Sequence, residues 1–355
     1  MSRFVAIHRK FVTNDQLIWW EKALYFLLIP LSIVYGGIGW IRQLLYKTGV
    51  LPSYRSSLPI VSVGNITAGG TGKTPTVDWL VRQFQQIGKR PAIVSRGYSG
   101  KFSGPVGVVL NGQELQMSAD MCGDEPLLLA KKNTTCPVVV SRKRADGLRF
   151  LEQRGDIDVV ILDDAFQHLA VKRDIDLVLL DAQFPLGNGW PLPAGNLREF
   201  SGALKRADFL LMTRSEYLDG TYFKEYPVYQ STHQLSDVVV DLKGAKTSVE
   251  TLKSLKLFAF SGIANPDGFF LSLEDLGFAL SGTLSLDDHV EYDFNLIDKI
   301  KKITGDVDAL ITTEKDGVKL AADMFELPCY QVPVDIKITR STELFENIVE
   351  KLWSS

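Results

Sequence analysis

Cysteine is scarce in this chain. Cys122, Cys136 and Cys329 are the only three, and no C-x-x-C pair occurs. A disulfide framework and a thiolate zinc site are therefore not suggested, and a reducing compartment is the simplest reading. An excess of one charge is also missing: 39 basic residues face 42 acidic ones, a formal net charge of -3. No global basic field points to nucleic acid, and no acidic tail points to a solvating segment. No internal repeat or low-complexity tract stands out. A signal peptide is not expected, because the first apolar block starts late and lacks a small-residue cleavage site.

What is present is a chain of 355 residues, longer than a single core usually grows, so two domains are the default expectation. From Ala23 to Ile41 no residue is charged and most are apolar. As a helix this run is roughly 28 Å long, close to the ~30 Å hydrocarbon core of a bilayer. Pro30, Gly36, Gly37 and Gly39 are expected to interrupt it, and Trp19, Trp20 and Trp40 bracket it as interfacial aromatics do. Arg9 and Lys10 precede it and Arg42, Lys47 and Arg55 follow, so the flanking charge gives little inside–outside contrast. Three readings stand open: a helix lying in or dipping into one leaflet, a span, and a helix buried against the protein.

From residue 58 the pattern alternates strands and helices. Leu58–Val63, Pro91–Ser95, Pro137–Val140, Asp158–Leu162, Leu177–Leu180 and Phe209–Met212 read as buried strands, with helices at 73–87 and 142–153 among the connections. Such alternation predicts a parallel sheet covered on both faces. At 226–242 two strand-like runs follow each other without a helix, which marks a candidate boundary. A second α/β unit is expected beyond it, with strands at 257–260 and 310–313 and a terminal helix at 342–352. The expected division is an N-terminal apolar docking helix over 1–55, a core over 56–225, a two-stranded linker over 226–242 and a smaller α/β domain over 243–355.

The strongest signal is the segment from Val61 to Thr74. Thr67, Ala68, Gly69, Gly70, Thr71, Gly72, Lys73 and Thr74 form a glycine-rich turn between a predicted strand and a predicted helix. That context is what a P-loop requires. Glycines let several backbone N–H groups face one anion, and the helix N-terminus adds positive partial charge. Lys73 is suited to the β- and γ-phosphates and the Thr74 hydroxyl to Mg²⁺. The first glycine of G-x-x-x-x-G-K-[ST] would fall at 67, where Thr67 stands instead, and Gly69 and Gly70 are candidates to supply the missing freedom. The bland alternative, a glycine turn without function, does not explain lysine followed by threonine at this junction.

Two acids, Asp163 and Asp164, close the apolar run Val159–Leu162. Metal-binding carboxylates of P-loop proteins lie at such carboxyl ends, whereas a helix cap or solvated turn needs only one acid. Asp124 and Glu125 precede an apolar helix, and spacing alone favours an ordinary N-cap with an acid in the first turn. His289, beside Asp287 and Asp288, reads unaided as a surface residue. Glu314, Lys315 and Asp316 follow an apolar strand and read as a helix start.

Together these segments resemble a known family. Val63–Pro75, Ser95-Arg-Gly-Tyr98, Gly123-Asp-Glu-Pro126, Asp163-Asp-Ala-Phe-Gln-His168, Asn196-Leu-Arg-Glu199 and Thr313-Glu-Lys-Asp316 occur in that order and look like the tetraacyldisaccharide 4'-kinases. The resemblance implies a P-loop NTPase-like sheet domain and a smaller α/β domain that close around the nucleotide. It implies transfer of the γ-phosphate of ATP to the 4'-hydroxyl of a tetraacylated glucosamine disaccharide, with Mg²⁺. It places the work at the cytoplasmic face of a bacterial inner membrane, with the N-terminal helix docked on the bilayer and no protein partner. By motif, Asp124 would face the sugar hydroxyl and pair with His289. Thr74, Glu125 and Asp163, with Asp164 adjacent, would organise the metal. Arg144 and Arg198 would meet phosphate charge, and Glu314 and Lys315 would lie near the nucleotide base. Two positions depart from the family pattern: Phe200 replaces a usual proline, and Asp288-His289-Val290 replaces Asp-His-His.

Two other classes compete. A P-loop GTPase of the metallochaperone kind needs a guanine-reading Asn-Lys-x-Asp after a strand, and this chain has Thr-Glu-Lys-Asp. An ATP-gated partitioning protein has no use for a second domain bearing an acid–histidine loop.

Overall fold

The computed structural model describes residues 3–13, 16–215 and 223–353. Two helices open the chain, α1 over Arg3–Thr13 and α2 over Trp19–Lys47. Contrary to expectation, Pro30 and the glycines do not interrupt α2. It is continuous for 29 residues, about 43 Å at the helical rise. Its buried residues are Glu21, Ser32 and Gly36. Lys10 donates to Glu21 at 2.9 Å and the Ile18 N–H donates to it at 3.0 Å, which pins α1 to the start of α2. The Ala194 N–H donates to Ser32 Oγ at 2.8 Å. Gly36 lies under Phe200, and a Cβ there would come within 2.5 Å of the ring. Phe200 keeps φ at -57°, the value a proline ring enforces. The backbone there has a φ that a proline could adopt, and the phenyl ring provides a seat for α2. Phe26, Leu27, Leu31, Val34, Ile38 and Ile41 remain exposed, so α2 is not a core helix. Among the described residues it is the one helix long and apolar enough to cross a membrane.

Among the described residues nine strands follow in chain order: β1 Ile60–Asn65, β2 Pro91–Ser95, β3 Gly107–Asn111, β4 Glu114–Leu115, β5 Val138–Val140, β6 Val159–Asp163, β7 Ile175–Asp181, β8 Phe209–Thr213 and β9 Val228–Leu235. They lie side by side as β9-β8-β7-β1-β6-β2-β5-β3-β4. Every residue of β1, β2, β5, β6 and β8 is buried, which is why these strands read as unbroken apolar runs and not as alternating ones. Helices α3 (Lys73–Gln86), α4 (Ala119–Cys122), α5 (Asp124–Lys132) and α6 (Arg144–Arg154) connect them. β3 runs antiparallel to β5, and the β3–β4 hairpin forms an edge.

A second, six-stranded sheet contains β10 Val238–Asp241, β11 Lys246–Ser248, β12 Leu257–Ser261, β13 Leu280–Ser285, β14 Ala309–Thr313 and β15 Cys329–Val332, in the order β11-β10-β15-β14-β12-β13. Its helices are α7 (Val249–Leu252), α8 (Pro266–Asp275), α9 (Phe294–Ile303) and α10 (Glu314–Gly317).

The end of the chain differs from the division expected at 243–355. β16, Val334–Thr339, returns to the first sheet and pairs antiparallel with β9 from Val334↔Leu235 to Thr339↔Gln230. α11, Ser341–Trp353, then packs Leu344, Phe345, Ile348 and Leu352 into the first core. The Phe345 ring lies 5.1 Å from Phe84 of α3. Residues 226–242 thus supply β9 to one sheet and β10 to the other. The apolar stripe of α11 is plain in sequence, but such a stripe fits any apolar face, and only the pairing of β16 carries it back.

Candidate active site

The carboxyl ends of β1, β6 and β2 meet at one edge of the large sheet. At β1 the glycine loop begins extended: the Ala68 N–H donates to Asn196 O and the Arg198 N–H to Ile66 O, each at 2.7 Å. Thr67, 3% exposed, bridges Leu197. This stitch explains threonine where a glycine was looked for, and it delivers Arg198 to the site. The loop turns afterwards, at Gly69 with φ +117° and at Gly72 with φ +82°. Gly72 caps α3, and a Cβ there would strike His233 of β9 at 2.4 Å. Asn65 braces the turn from inside, its amide donating to Thr67 O at 2.7 Å. Lys73 points back across the loop to Asn65 Oδ1 at 3.5 Å and lies 3.6 Å from Asp164 Oδ1. Thr74 follows, half-buried in the first turn of α3.

Asp163 and Asp164 divide their roles. Asp163 is 1% exposed; its Oδ2 accepts from Ser95 Oγ at 2.9 Å, and its Oδ1 has no partner. Burial, then the neighbouring Glu125 and Asp164 charges, push its carboxyl up to about 7. Asp164 adopts φ +48°, a left-handed backbone that a non-glycine residue holds only under tertiary constraint. Burial opposes its ionisation, but Lys73 and Arg198 outweigh burial and hold it below the usual carboxylate range. Arg198 Nη1 donates to both its oxygens, at 2.9 and 3.1 Å. Arg144 is 2% exposed and faces the backbone: its Nη2 donates to Asp163 O at 3.1 Å. His168, at the end of the same motif, is pushed down to about 4 by burial and then by Arg144, Arg173, Arg42 and Arg96.

Asp124 is not the N-cap that spacing favoured. Gly123 occupies that place with φ +90°, and no side chain caps the helix. A Cβ on Gly123 would lie 2.4 Å from Tyr98 O, so glycine lets α5 start against the end of β2. Asp124 is freed for another contact: its Oδ2 meets His289 Nδ1 at 3.2 Å, across 165 residues. His289 adopts φ +60° and its ring lies 6.1 Å from Tyr98. Its Nε2 is 3.2 Å from Lys315 Nζ, which also donates to Asp288 at 3.0 Å.

The structure therefore brings Lys73, Asp163, Asp164 and Arg198 into contact or near contact, with Glu125 close enough to act on Asp163, and joins Asp124 to His289 and Lys315. Glu314 is held by contacts of its own. Lys132 of α5 and the Val334 N–H each donate to Glu314 Oε2 at 3.0 Å, which ties α10 to the first sheet. Sequence reasoning missed Asn65, Ser95, Gln167 and Lys319. Gln167 donates to Asn65 O at 2.9 Å and accepts from Arg198 at 3.4 Å. Each of the first three lies in or beside a motif already singled out, which was the signal available.

Among the described residues no three His, Cys, Asp or Glu side chains form a self-sufficient metal cage. Mg²⁺ at a nucleotide site needs only one or two carboxylates plus phosphate oxygens. The orphaned, buried Asp163 Oδ1 suits such a partially filled ligand set.

Strand order, the glycine loop on β1 and the acid pair on the adjacent β6 define a P-loop nucleotide-binding protein. A model of the family described as tetraacyldisaccharide-1-P 4'-kinase matches residues 24–353. The tetraacyldisaccharide 4'-kinase of Syntrophotalea carbinolica is 42% identical over 349 residues, covering 98% of each chain. That of Desulfotalea psychrophila is 40% identical, over 92% of this chain and 96% of its own. A crystal structure of LpxK from Aquifex aeolicus in complex with ATP superposes with a TM-score of 0.81 at 30% identity, covering 93% of this chain and all of that one. The chain belongs to the tetraacyldisaccharide 4'-kinase family.

Proposed function

We propose that this chain transfers the γ-phosphate of ATP to the 4'-hydroxyl of a tetraacylated glucosamine disaccharide 1-phosphate, a step of lipid A biosynthesis. The observation that carries the mechanism is the Asp124–His289 contact, which joins the start of α5 to the loop after β13 of the second sheet. Phosphoryl transfer needs positioning and charge compensation and no covalent nucleophile. The loop amides and Lys73 cradle the β- and γ-phosphates. Thr74, Glu125, Asp163 and Asp164 would hold the divalent cation. Mg²⁺, when bound, neutralises charge on the phosphate oxygens. Arg198 faces the transferred group, while Arg144 fixes the carbonyls of the Asp163–Asp164 turn. Asp124 orients the acceptor hydroxyl and takes its proton, and His289 holds the carboxylate in place. The arginines around His168 supply a positive field suited to an anionic acceptor.

The exposed face of α2 accounts for how the enzyme meets this acceptor. Four acyl chains bind a bilayer at ~0.8 kcal/mol per buried CH₂, so the enzyme goes to the lipid. We read α2 as docked on the cytoplasmic face of the inner membrane, where ATP is supplied. We also read the large sheet with α11 as the kinase core, and the six-stranded sheet as the unit that carries His289 to it.

Purified protein, labelled ATP, Mg²⁺ and the monophosphorylated lipid disaccharide test the activity. A doubly phosphorylated lipid is the expected product. ATP hydrolysis without labelled lipid would contradict the assignment.

A further inference from the structure

Lys319 stands between two carboxylates, Asp124 at the start of α5 and Asp316 in α10 of the second unit. It is two residues past the end of α10 and 9% exposed. Its Nζ donates to Val290 O at 3.1 Å and lies 5.4 Å from the Tyr292 ring centre. The same ammonium is 3.4 Å from Asp124 Oδ2 and 3.6 Å from Asp316 Oδ1.

Each neighbour constrains it. Asp316 is fully buried, and its Oδ2 already accepts from the Gly262 N–H at 2.9 Å and from Thr313 Oγ1 at 2.7 Å. Its Oδ1 has no hydrogen-bond partner, and the ammonium of Lys319 is the cation beside it. A buried carboxylate so held needs a compensating cation, and it fixes that cation in return. On the other side, Lys319 and His289 Nδ1 both approach the same oxygen of Asp124, Oδ2. Asp316, Lys319, Asp124, His289, Lys315 and Asp288 thus form an unbroken row of alternating partners. A simple tie between the two sheets would not need to converge on the oxygen that His289 also holds.

We propose that Lys319 is a positioning residue for phosphoryl transfer. Its ammonium pins Oδ2 of Asp124, compensates its charge and leaves Oδ1 turned to the acceptor hydroxyl, whose proton Oδ1 receives. The inference rests on the reading of Asp124 as the acceptor-facing carboxylate. It extends that reading to a residue three positions beyond the Thr313–Asp316 motif.

Lys319→Met should lower kcat by about ten- to hundredfold, the scale of a misplaced general base, with KM for ATP unchanged within about threefold. Lys319→Arg should recover much of the rate. In Lys319→Ala, added methylamine or ethylamine should restore turnover in proportion to its concentration, and it should do nothing for Asp124→Asn. A merely structural role predicts a lowered melting temperature, no amine rescue, and losses shared between kcat and KM; that pattern overturns the proposal. Should Lys319→Met not fold, Lys319→Gln is assayed in its place, with the same opposed outcomes. An inactive Asp124→Asn beside a fully active Lys319→Met sinks the inference alone. A fully active Asp124→Asn sinks the underlying reading as well.

Discussion

Replacing Asp163 by asparagine should stabilise the ligand-free protein, and by more as pH rises. The carboxyl is 1% exposed, carries one unpartnered oxygen and is pushed from 3.8 to about 7 by burial, Glu125 and Asp164. Its folded-state pKa is raised, so the direction is opposite to that of a salt-bridged aspartate. Below pH 3.8 the group is protonated in both states and costs nothing. Between pH 3.8 and about 7 the unfolded chain gives up its proton first, so rising pH favours unfolding, and above 7 the penalty is complete. The two units still ahead at pH 5 are worth roughly 3 kcal/mol. An unfolding entropy of roughly 2.1 cal/mol/K per residue converts this to a shift of roughly 4 °C for a single transition of a chain this long. The assay is thermal melting of wild type and Asp163→Asn in detergent with EDTA, at pH 5 and pH 8. The variant's advantage should widen by that amount across the interval. An advantage that stays flat or shrinks would refute the claim that an ionised, uncompensated carboxylate is waiting there. Mg²⁺ with ATP should then raise the melting temperature of wild type far more than that of the variant, because it supplies the charge the site lacks.

Other perturbations follow from the same geometry. Lys73→Ala should abolish lipid phosphorylation, since the γ-phosphate loses its cation; near-normal turnover in that variant contradicts the site. Asp124→Ala should lower kcat far more than it weakens ATP binding, measured by steady-state kinetics beside nucleotide titration, and a loss confined to affinity would move Asp124 to the metal or to structure. Gly123→Ala forces a Cβ onto Tyr98 O at 2.4 Å and a left-handed backbone, so it should cost about 1–3 kcal/mol in denaturant unfolding; an unchanged midpoint would mean that α5 can start elsewhere. Leu27→Glu with Val34→Glu, both on the exposed face of α2, should reduce vesicle binding at least about hundredfold, from the apolar burial lost; undiminished flotation with liposomes would show that another surface docks.

The local parts of this protein were decided by its sequence. The strands at 91–95, 138–140 and 159–163 and the helices at 73–86 and 341–353 emerge close to where their apolar patterns put them, because burial on both faces and helical stripes leave periodic marks. The glycine loop, Lys73 and the Asp163–Asp164 pair were legible for a similar reason: strand, turn and helix are contiguous, so their chemistry is printed in one stretch of chain. Tertiary structure decided what lies far apart. Asp124 and His289 are 165 residues from each other, and spacing alone made the one a cap and the other a surface residue. Lys319 has no local mark at all, yet it reaches Asp124 from the other sheet. Gly123 takes the helix boundary that spacing assigned to Asp124, because Tyr98 O lies where a side chain would be. β16 and α11 carry a pattern that would serve either sheet, and only pairing with β9 sent them to the first. Periodicity records whether a residue is buried; it does not record against what, since apolar faces and unpaired charges accept many partners until the chain closes in three dimensions.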